Sequence, residues 1–276
     1  MERVIVTGVD GSARGRAAAD WAAREAALRG LPLRVIHVPS AAAPHERHRP
    51  ESAADRFAAE LARRHPGLTI DHLPAAGTVA QSLMAWGTVA EMIVLGLRGE
   101  GGRAGLFPGP TARAVAGAAS CPVVLVPSDL ARGRTPRRPD KVTLAVDARD
   151  PADGALGFAF DEARLRGARL HALHAGPPPV AAKGRTSCSP SAPLYAARSA
   201  REMEILAEVL DPWRAKFPHV RVTEDVVLRD PARALVRTSV SSVLLVLGRR
   251  TGAPGLGAVA LAVARHTGCP LALVPG

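Results

Sequence analysis

The chain has 276 residues, 47% of them apolar and only 3% aromatic, with a formal net charge of +11. That length exceeds one ordinary domain and suits two of moderate size, and the aliphatic composition fits cores built on buried parallel strands. The charge rests on arginine, the only lysines being Lys141, Lys183 and Lys216, and no aromatic residues interleave with the basic ones, which argues against a base-stacking nucleic-acid surface.

In chain order, the β-branched run Val4–Val9 reads as a strand ending at Asp10. The Ala-rich stretch Arg14–Arg29 reads as a helix closed by Gly30 at a C-cap position. Leu33–Val38 is a second strand, Glu51–His65 a helix ended by Pro66 and Gly67, Leu68–Leu73 a strand, and Val79–Ala90 a helix. Met92–Leu95 is a short buried strand. A glycine-rich loop follows, then a helix from about Thr111 to Ala119 and the strand Val123–Val126. Alternating helices and continuous apolar strands predict an α/β fold with a doubly wound parallel sheet.

The same order then repeats. A shift of 137 positions sets Asp10 on Asp147, Trp21 on Phe158, Glu25 on Glu162, Arg29 on Arg166 and His37 on His174. The offset becomes 152 where Gly96 meets Gly248, and 148 where Gly109 meets Gly257 and Cys121 meets Cys269. The rise from 137 to 152 places an insertion in the Pro/Ser-rich stretch Gly176–Pro193, expected as a loop, and the fall to 148 a deletion between Gly248 and Gly257. The polar, basic junction 128–140 is a linker between domains at 1–127 and 141–276.

In a doubly wound sheet, ligands sit at the carboxyl ends of the strands near the switch point. Two loops there are rich in glycine: Gly8–Ser12 after the first strand, and Gly96–Gly109 before the last helix. Glycine lets backbone amides approach an anion, and the helix N-terminus beyond adds unpaired N–H groups and partial positive charge. Arg98 and Arg103 add cationic reach. The chemistry is that of a phosphate cradle. It is not a Rossmann fingerprint, because Gly8, Gly11 and Gly15 have the wrong spacing, nor a Walker A loop, because residues 1–127 hold no lysine.

Gly96, Gly99 and Gly109 stand in the spacing G-x2-G-x9-G, the first strand runs into Asp10-Gly11-Ser12, and a final strand lies in Cys121–Pro127. In these features, twice over nearly the whole chain, the sequence resembles the universal stress protein family, whose nucleotide-binding members carry G-x2-G-x9-G-S/T before the last helix. The resemblance implies two tandem Rossmann-like domains packed as a pseudo-dimer, with the last strands Val123–Val126 and Leu271–Val274 meeting inside one chain. It implies ATP, accompanied by Mg2+, in the first domain. Asp10, with the backbone of Gly8 and Val9, would meet the adenine, and Val38 would line the base pocket. Leu95, Gly96, Arg98 and Gly99 would contact ribose and phosphates, with Gly109 and Thr111 closing over the phosphate tail. A stress-response or regulatory role follows, with no catalysis beyond slow, metal-assisted hydrolysis. Where the family has Ser or Thr, this chain has Pro110. Proline suits the first helical turn but removes one N–H and one hydroxyl, so weakened binding is expected.

The second domain keeps Asp147 but has Ala175 for Val38, Thr251 for Gly99, and four fewer loop residues, so no nucleotide is expected there and its role is structural. The rival reading is a nucleotide-free protein-interaction module with degenerate sites in both domains; either reading leaves room for a homo-oligomer and a protein partner. Asp10 is also placed to cap the helix that follows it. His37 and His174 read as packing residues, His45 and His48 as part of a solvated turn, and Cys121 and Cys269 as buried thiols. No nucleophile, base and orienting group stand together as catalysis requires. Three cysteines without a C-x-x-C pair fit a reducing cytosol. The N-terminal apolar run is too short for a signal peptide and no stretch approaches ~18 apolar residues, so the protein is expected in the cytoplasm, away from the membrane.

Overall fold

The computed structural model describes residues 3–10, 12–37, 53–74, 78–98, 107–127, 140–177, 192–250 and 255–276. The first half runs β1 (Val4–Val9), α1 (Ala13–Arg29), β2 (Leu33–His37), α2 (Ala53–Arg64), β3 (Ile70–Pro74), α3 (Val79–Trp86), β4 (Ala90–Gly96), α4 (Pro110–Ala118) and β5 (Val123–Val126). The second half repeats the order as β6 (Lys141–Val146), α5 (Asp153–Arg166), β7 (Arg169–Gly176), α6 (Ala192–Lys216), β8 (Val222–Leu228), α7 (Pro231–Ser239), β9 (Leu244–Arg249), α8 (Ala258–His266) and β10 (Leu271–Pro275). Residues 128–139 of the expected linker and 178–191 of the insertion lie outside the described residues.

Local chemistry explains the boundaries. Ser12 caps α1 by accepting from the Gly15 amide, and Gly30 ends it at φ 65°, a left-handed conformation that glycine adopts without strain. Ala18, Ala19, Ala22, Ala23 and Ala26 are fully buried, and their small side chains let α1 lie close on the sheet. Thr78 and Gln81 form a capping box on α3. That helix stops at Trp86, short of the Ala90 expected from sequence, because Ala90 is drawn into β4 opposite Val4.

All ten strands form one sheet in the order β3-β2-β1-β4-β5-β10-β9-β6-β7-β8. Neighbours within each half are parallel. The halves join where β5 runs antiparallel to β10, with Leu125 opposite Leu271 and Val123 opposite Leu273. The two last strands thus meet inside the chain, and equivalent strands lie in mirrored order on either side of the join, relating the halves by a local two-fold.

The core divides by sheet face, not by half. Successive strand residues point to opposite faces. Ile5, Val35, Met92 and Val124 join Val142, Leu170, Val246 and Ala272 under α1, α2, α5 and α6. Val6, Ile36, Ile93 and Leu125 join Leu245 and Leu271 under α3, α4, α7 and α8. Each apolar cluster therefore runs through both halves.

At the two-fold, α1 meets α5 through a buried set of charges. Glu25 and Glu162 are 2% and 0% exposed. Arg29 donates to Glu25 at 2.7 Å and also to Glu162, while Arg166 donates to both Glu162 and Glu25. Each guanidinium also lies over the other half's aromatic ring, Arg29 at 5.8 Å from Phe158 and Arg166 at 6.0 Å from Trp21. Burial is the largest influence on Glu162 and pushes its carboxyl up to about 7, against the pull of Arg166 and Arg29. Burial works to lower Arg29 as well, but Glu162 and Glu25 overcome it and hold that guanidinium above its usual range.

Removing one member of such a set leaves buried charge uncompensated. Arg29→Met is expected to lower the stability of the full chain by about 3–5 kcal/mol in urea unfolding. Arg201→Ala, which breaks the exposed Arg201–Glu204 pair, should change it by less than ~1 kcal/mol. Equal effects from the two variants would show that the cluster is not the stronger constraint.

Candidate functional site

The strand order turns back between β1 and β4: β1 leads outward to β2 and β3, whereas β4 leads to β5. This is the switch point, and the loops after β1 and β4 flank it. Thr7 pairs with Val94 and its buried hydroxyl donates to the Val94 carbonyl at 2.9 Å, tying the strands together just before they end. Gly8 and Val9 on one strand and Leu95 and Gly96 on the next therefore finish side by side.

At the end of β1, Asp10 is exposed, and its Oδ1 accepts from the Ser12 amide at 3.0 Å and the Ser12 hydroxyl at 2.5 Å. The Ser12 hydroxyl in turn accepts from the Gly15 amide at 3.0 Å. Ser12, not Asp10, is therefore the helix cap, and among the described residues the bonds to Asp10 fall on Oδ1. A Cβ on Gly15 would stand 2.7 Å from Asp10 Oδ1. Gly15 thus permits the carboxylate its position, a role that its failure to fit a dinucleotide fingerprint concealed. The legible signal was a glycine one turn after the capping serine.

The β4 side is pinned at its base. The Leu97 amide donates to Val126 O at 2.9 Å, and Leu97 O accepts from the Gly109 amide at 3.0 Å. Gly109 is the N-cap of α4 and has no side chain to cap with; Pro110 follows at the first helical position. Arg113 donates its amide to Gly109 O at 2.9 Å. The amides that α4 leaves without a helical partner are then those of Thr111 and Ala112. Leu95 is buried in the α3–α4 core, so only its main chain faces a ligand space. Arg98 is 8% exposed, and its Nη2 donates to the Arg265 carbonyl in the second half at 2.9 Å. The side chain expected to reach the phosphates is thus engaged between the halves. Val38, Gly99, Arg103 and His45–His48 lie outside the described residues.

The equivalent cleft of the second half is furnished differently. Asp147 accepts from the Arg149 amide at 3.2 Å, and the N-cap of α5 is Ala152, which gives no side-chain bond. A Cβ on Gly248 would lie 2.6 Å from the Ala152 Cβ, so this glycine serves close packing, whereas at Gly96 a Cβ would meet only ordinary contacts, 3.4 Å from Arg14 O. Helix α6 carries Glu202, whose side chain is 3% exposed, to Arg149 at 2.7 Å and within 3.6 Å of His174. His174 itself is buried with Nδ1 at 3.0 Å from Val146 O, a packing role.

Among the described residues, no group of three or more His, Cys, Asp and Glu side chains is arranged to hold a metal, and no helix is long and apolar enough to cross a membrane. A shallow cavity of about 550 Å³ lies elsewhere, near the amino ends of β2 and β3, lined in part by Gly30, Pro32, Arg64 and His65. Burial pushes the Cys121 thiol up to about 11 and the Cys269 thiol up to about 12, so both stay protonated and are poor nucleophiles.

Two doubly wound halves, each with a glycine at the end of its switch-point strand, define a tandem α/β protein of the Rossmann-like class. Residues 1–127 and 139–275 each match the model of the universal stress protein family. A universal stress protein of Mycolicibacterium smegmatis is 32% identical over 295 residues, covering 98% of this chain and 96% of the relative. One of Mycobacterium tuberculosis is 32% identical over 287 residues, covering 97% and 95%. Among solved structures, a universal stress protein of Archaeoglobus fulgidus superposes with a TM-score of 0.64 at 16% identity, covering 99% of this chain and 96% of that one. The chain belongs to the universal stress protein family.

In a Cys188→Ser background, a thiol reagent at mildly alkaline pH is expected to leave the native protein unlabelled until denaturant exposes Cys121 and Cys269. Labelling of the folded protein at the rate of a free thiol would contradict their burial.

Proposed function

We propose that the first half binds an adenine nucleotide, ATP with Mg2+, and that its occupancy regulates the protein's contacts in a stress response. Within the family, a protein of Archaeoglobus fulgidus is solved in complex with dAMP, and another universal stress protein in complex with cAMP. For this chain one observation carries the reading. Gly96 ends β4 two residues past Val94, the partner of Thr7 on β1, and Leu97 bonds to the cap of α4, so the strand end that leads to Asp10, a glycine and a helix N-terminus meet at one switch point.

The residues divide the ligand by chemistry. Asp10 Oδ2 accepts from the exocyclic amine, flanked by the backbone of Gly8 and Val9, with Val38 against the base. The main chain of Leu95, Gly96, Arg98 and Gly99 faces ribose and phosphates. Thr111 offers its hydroxyl and, with Ala112, an unpaired amide at the positive end of α4. The Gly109 amide is committed to Leu97, so that glycine contributes room for close approach. Mg2+ would neutralise the phosphates. The second half takes no nucleotide in this reading: the Arg149–Glu202 bridge spans its cleft and Ala152 fills the space beside Gly248.

A nucleotide-free interaction module is favoured by one observation, the commitment of the Arg98 guanidinium to Arg265 O. Calorimetry with Mg-ATP on the full chain separates the two. Saturable binding that Gly96→Val abolishes is expected. Silence in the wild type would favour the module, and binding indifferent to Gly96→Val would place the nucleotide elsewhere. Restoring a hydroxyl and an amide with Pro110→Ser should tighten ATP binding about 10- to 150-fold, the worth of a hydrogen bond to a charged group at ~1.5–3 kcal/mol. Weaker binding would refute the role assigned to that position.

A further inference from the structure

We infer that Arg265, which belongs to the second half, is a positioning residue for the phosphate loop of the first; this rests on the reading that the Gly96–Gly109 loop holds the phosphates. The loop leaves the sheet after Gly96 and returns at Gly109, and both of its ends are docked on this one residue. On the outgoing side, Arg98 Nη2 donates to the Arg265 carbonyl at 2.9 Å. On the returning side, the Arg265 guanidinium lies 5.2 Å from the centroid of the Phe107 ring.

Each contact answers a physical need. Arg265 sits in the last turn of α8, where carbonyls have no helical partner and the helix dipole is negative, so its oxygen is a natural acceptor for a buried cation. Phe107 is 54% exposed, and a cation over its face adds attraction that water does not give the ring. The comparison across the two-fold is informative. At the offset of 148, Phe107 corresponds to Gly255 and Arg265 to Gly117. There the backbones pack directly: a Cβ on Gly117 would stand 2.9 Å from the Gly255 Cα. Arg249, one position before the counterpart of Arg98, donates to Gly117 O at 2.6 Å and also to Ala119 O. Arginine-to-carbonyl docking is therefore common to both directions, whereas the positions that match the ring and its guanidinium are glycines, Gly255 and Gly117.

The test uses the full chain with Arg265→Ala, which keeps the carbonyl and removes the guanidinium, and Arg265→Lys, which keeps a cation. Mg-ATP and adenosine are the probes, because adenosine lacks the phosphate tail. Arg265→Ala is expected to weaken Mg-ATP roughly two- to fivefold, in line with one surface cation–π contact, and to leave adenosine unchanged. Arg265→Lys should recover most of the loss, and Phe107→Ala should reproduce it without adding to it in the double variant. Amide exchange in the ligand-free protein should quicken at Gly109 in Arg265→Ala. Equal weakening of both probes, or unchanged Mg-ATP affinity, would overturn the inference. A wild type that binds neither probe would defeat the nucleotide reading instead, and Gly109 exchange unaltered by Arg265→Ala would then defeat the docking as well.

Discussion

Two glutamates placed out of water, Glu25 and Glu162, constrain this molecule more than any other pair of groups. Their carboxylates are satisfied jointly, because Arg29 and Arg166 each donate to both. Neither half can meet its own need. Alone, the first half would keep Arg29 beside Glu25 and Glu91 but lose Glu162 and Arg166, and a buried charge short of partners is costly. The antiparallel pairing of β5 with β10 makes the same demand in backbone terms, since a lone half would expose a sheet edge. Charge and sheet thus require the two halves to fold against each other, and the apolar clusters that run through both halves follow from that geometry.

The offsets in the sequence put the centre of the charge cluster and its flanking rings in matched pairs, Glu25 with Glu162, Arg29 with Arg166 and Trp21 with Phe158, but not Asp161, which also accepts from Arg29. What a linear reading lacked was the knowledge that each residue meets the copy of a neighbour. Once β5 and β10 pair, α1 and α5 come together, and Arg29 reaches Glu162 and Phe158 while Arg166 reaches Glu25 and Trp21. Element order and most boundaries were legible because apolar period and glycine punctuation are local. The end of α3 was not, since Ala90 is claimed by pairing with Val4, a partner 86 positions earlier.

The glycines and Asp10 of the candidate site stand out in the sequence by local pattern, whereas side chains that answer to distant partners do not. Asp10 looked equally fit to cap α1, but Ser12 takes the cap and leaves the carboxylate bonded through one oxygen. Arg98 looked like a phosphate ligand because composition sees charge and not burial; its acceptor is a carbonyl 167 positions away. Gly15 and Gly248 show the same limit in reverse. Each is explained by what its missing Cβ would strike, Asp10 in one case and Ala152 in the other.

The halves share a scaffold yet spend it differently. In the second, α6 is a 25-residue helix where α2 has 12, and the added length brings Glu202 to Arg149 and His174 at the strand ends. Filling that cleft with bonded side chains removes the need for a ligand to order it. The first cleft instead leaves Asp10 exposed at its mouth, and Arg98 and Phe107 of its loop both meet Arg265 on α8. A change in the first loop on ligand binding would therefore be felt at the last turn of α8, which adjoins Cys269 and the strand β10 that joins the halves. Under the proposed nucleotide reading, the residue that holds both ends of the loop would also be where its occupancy is first felt by the second half.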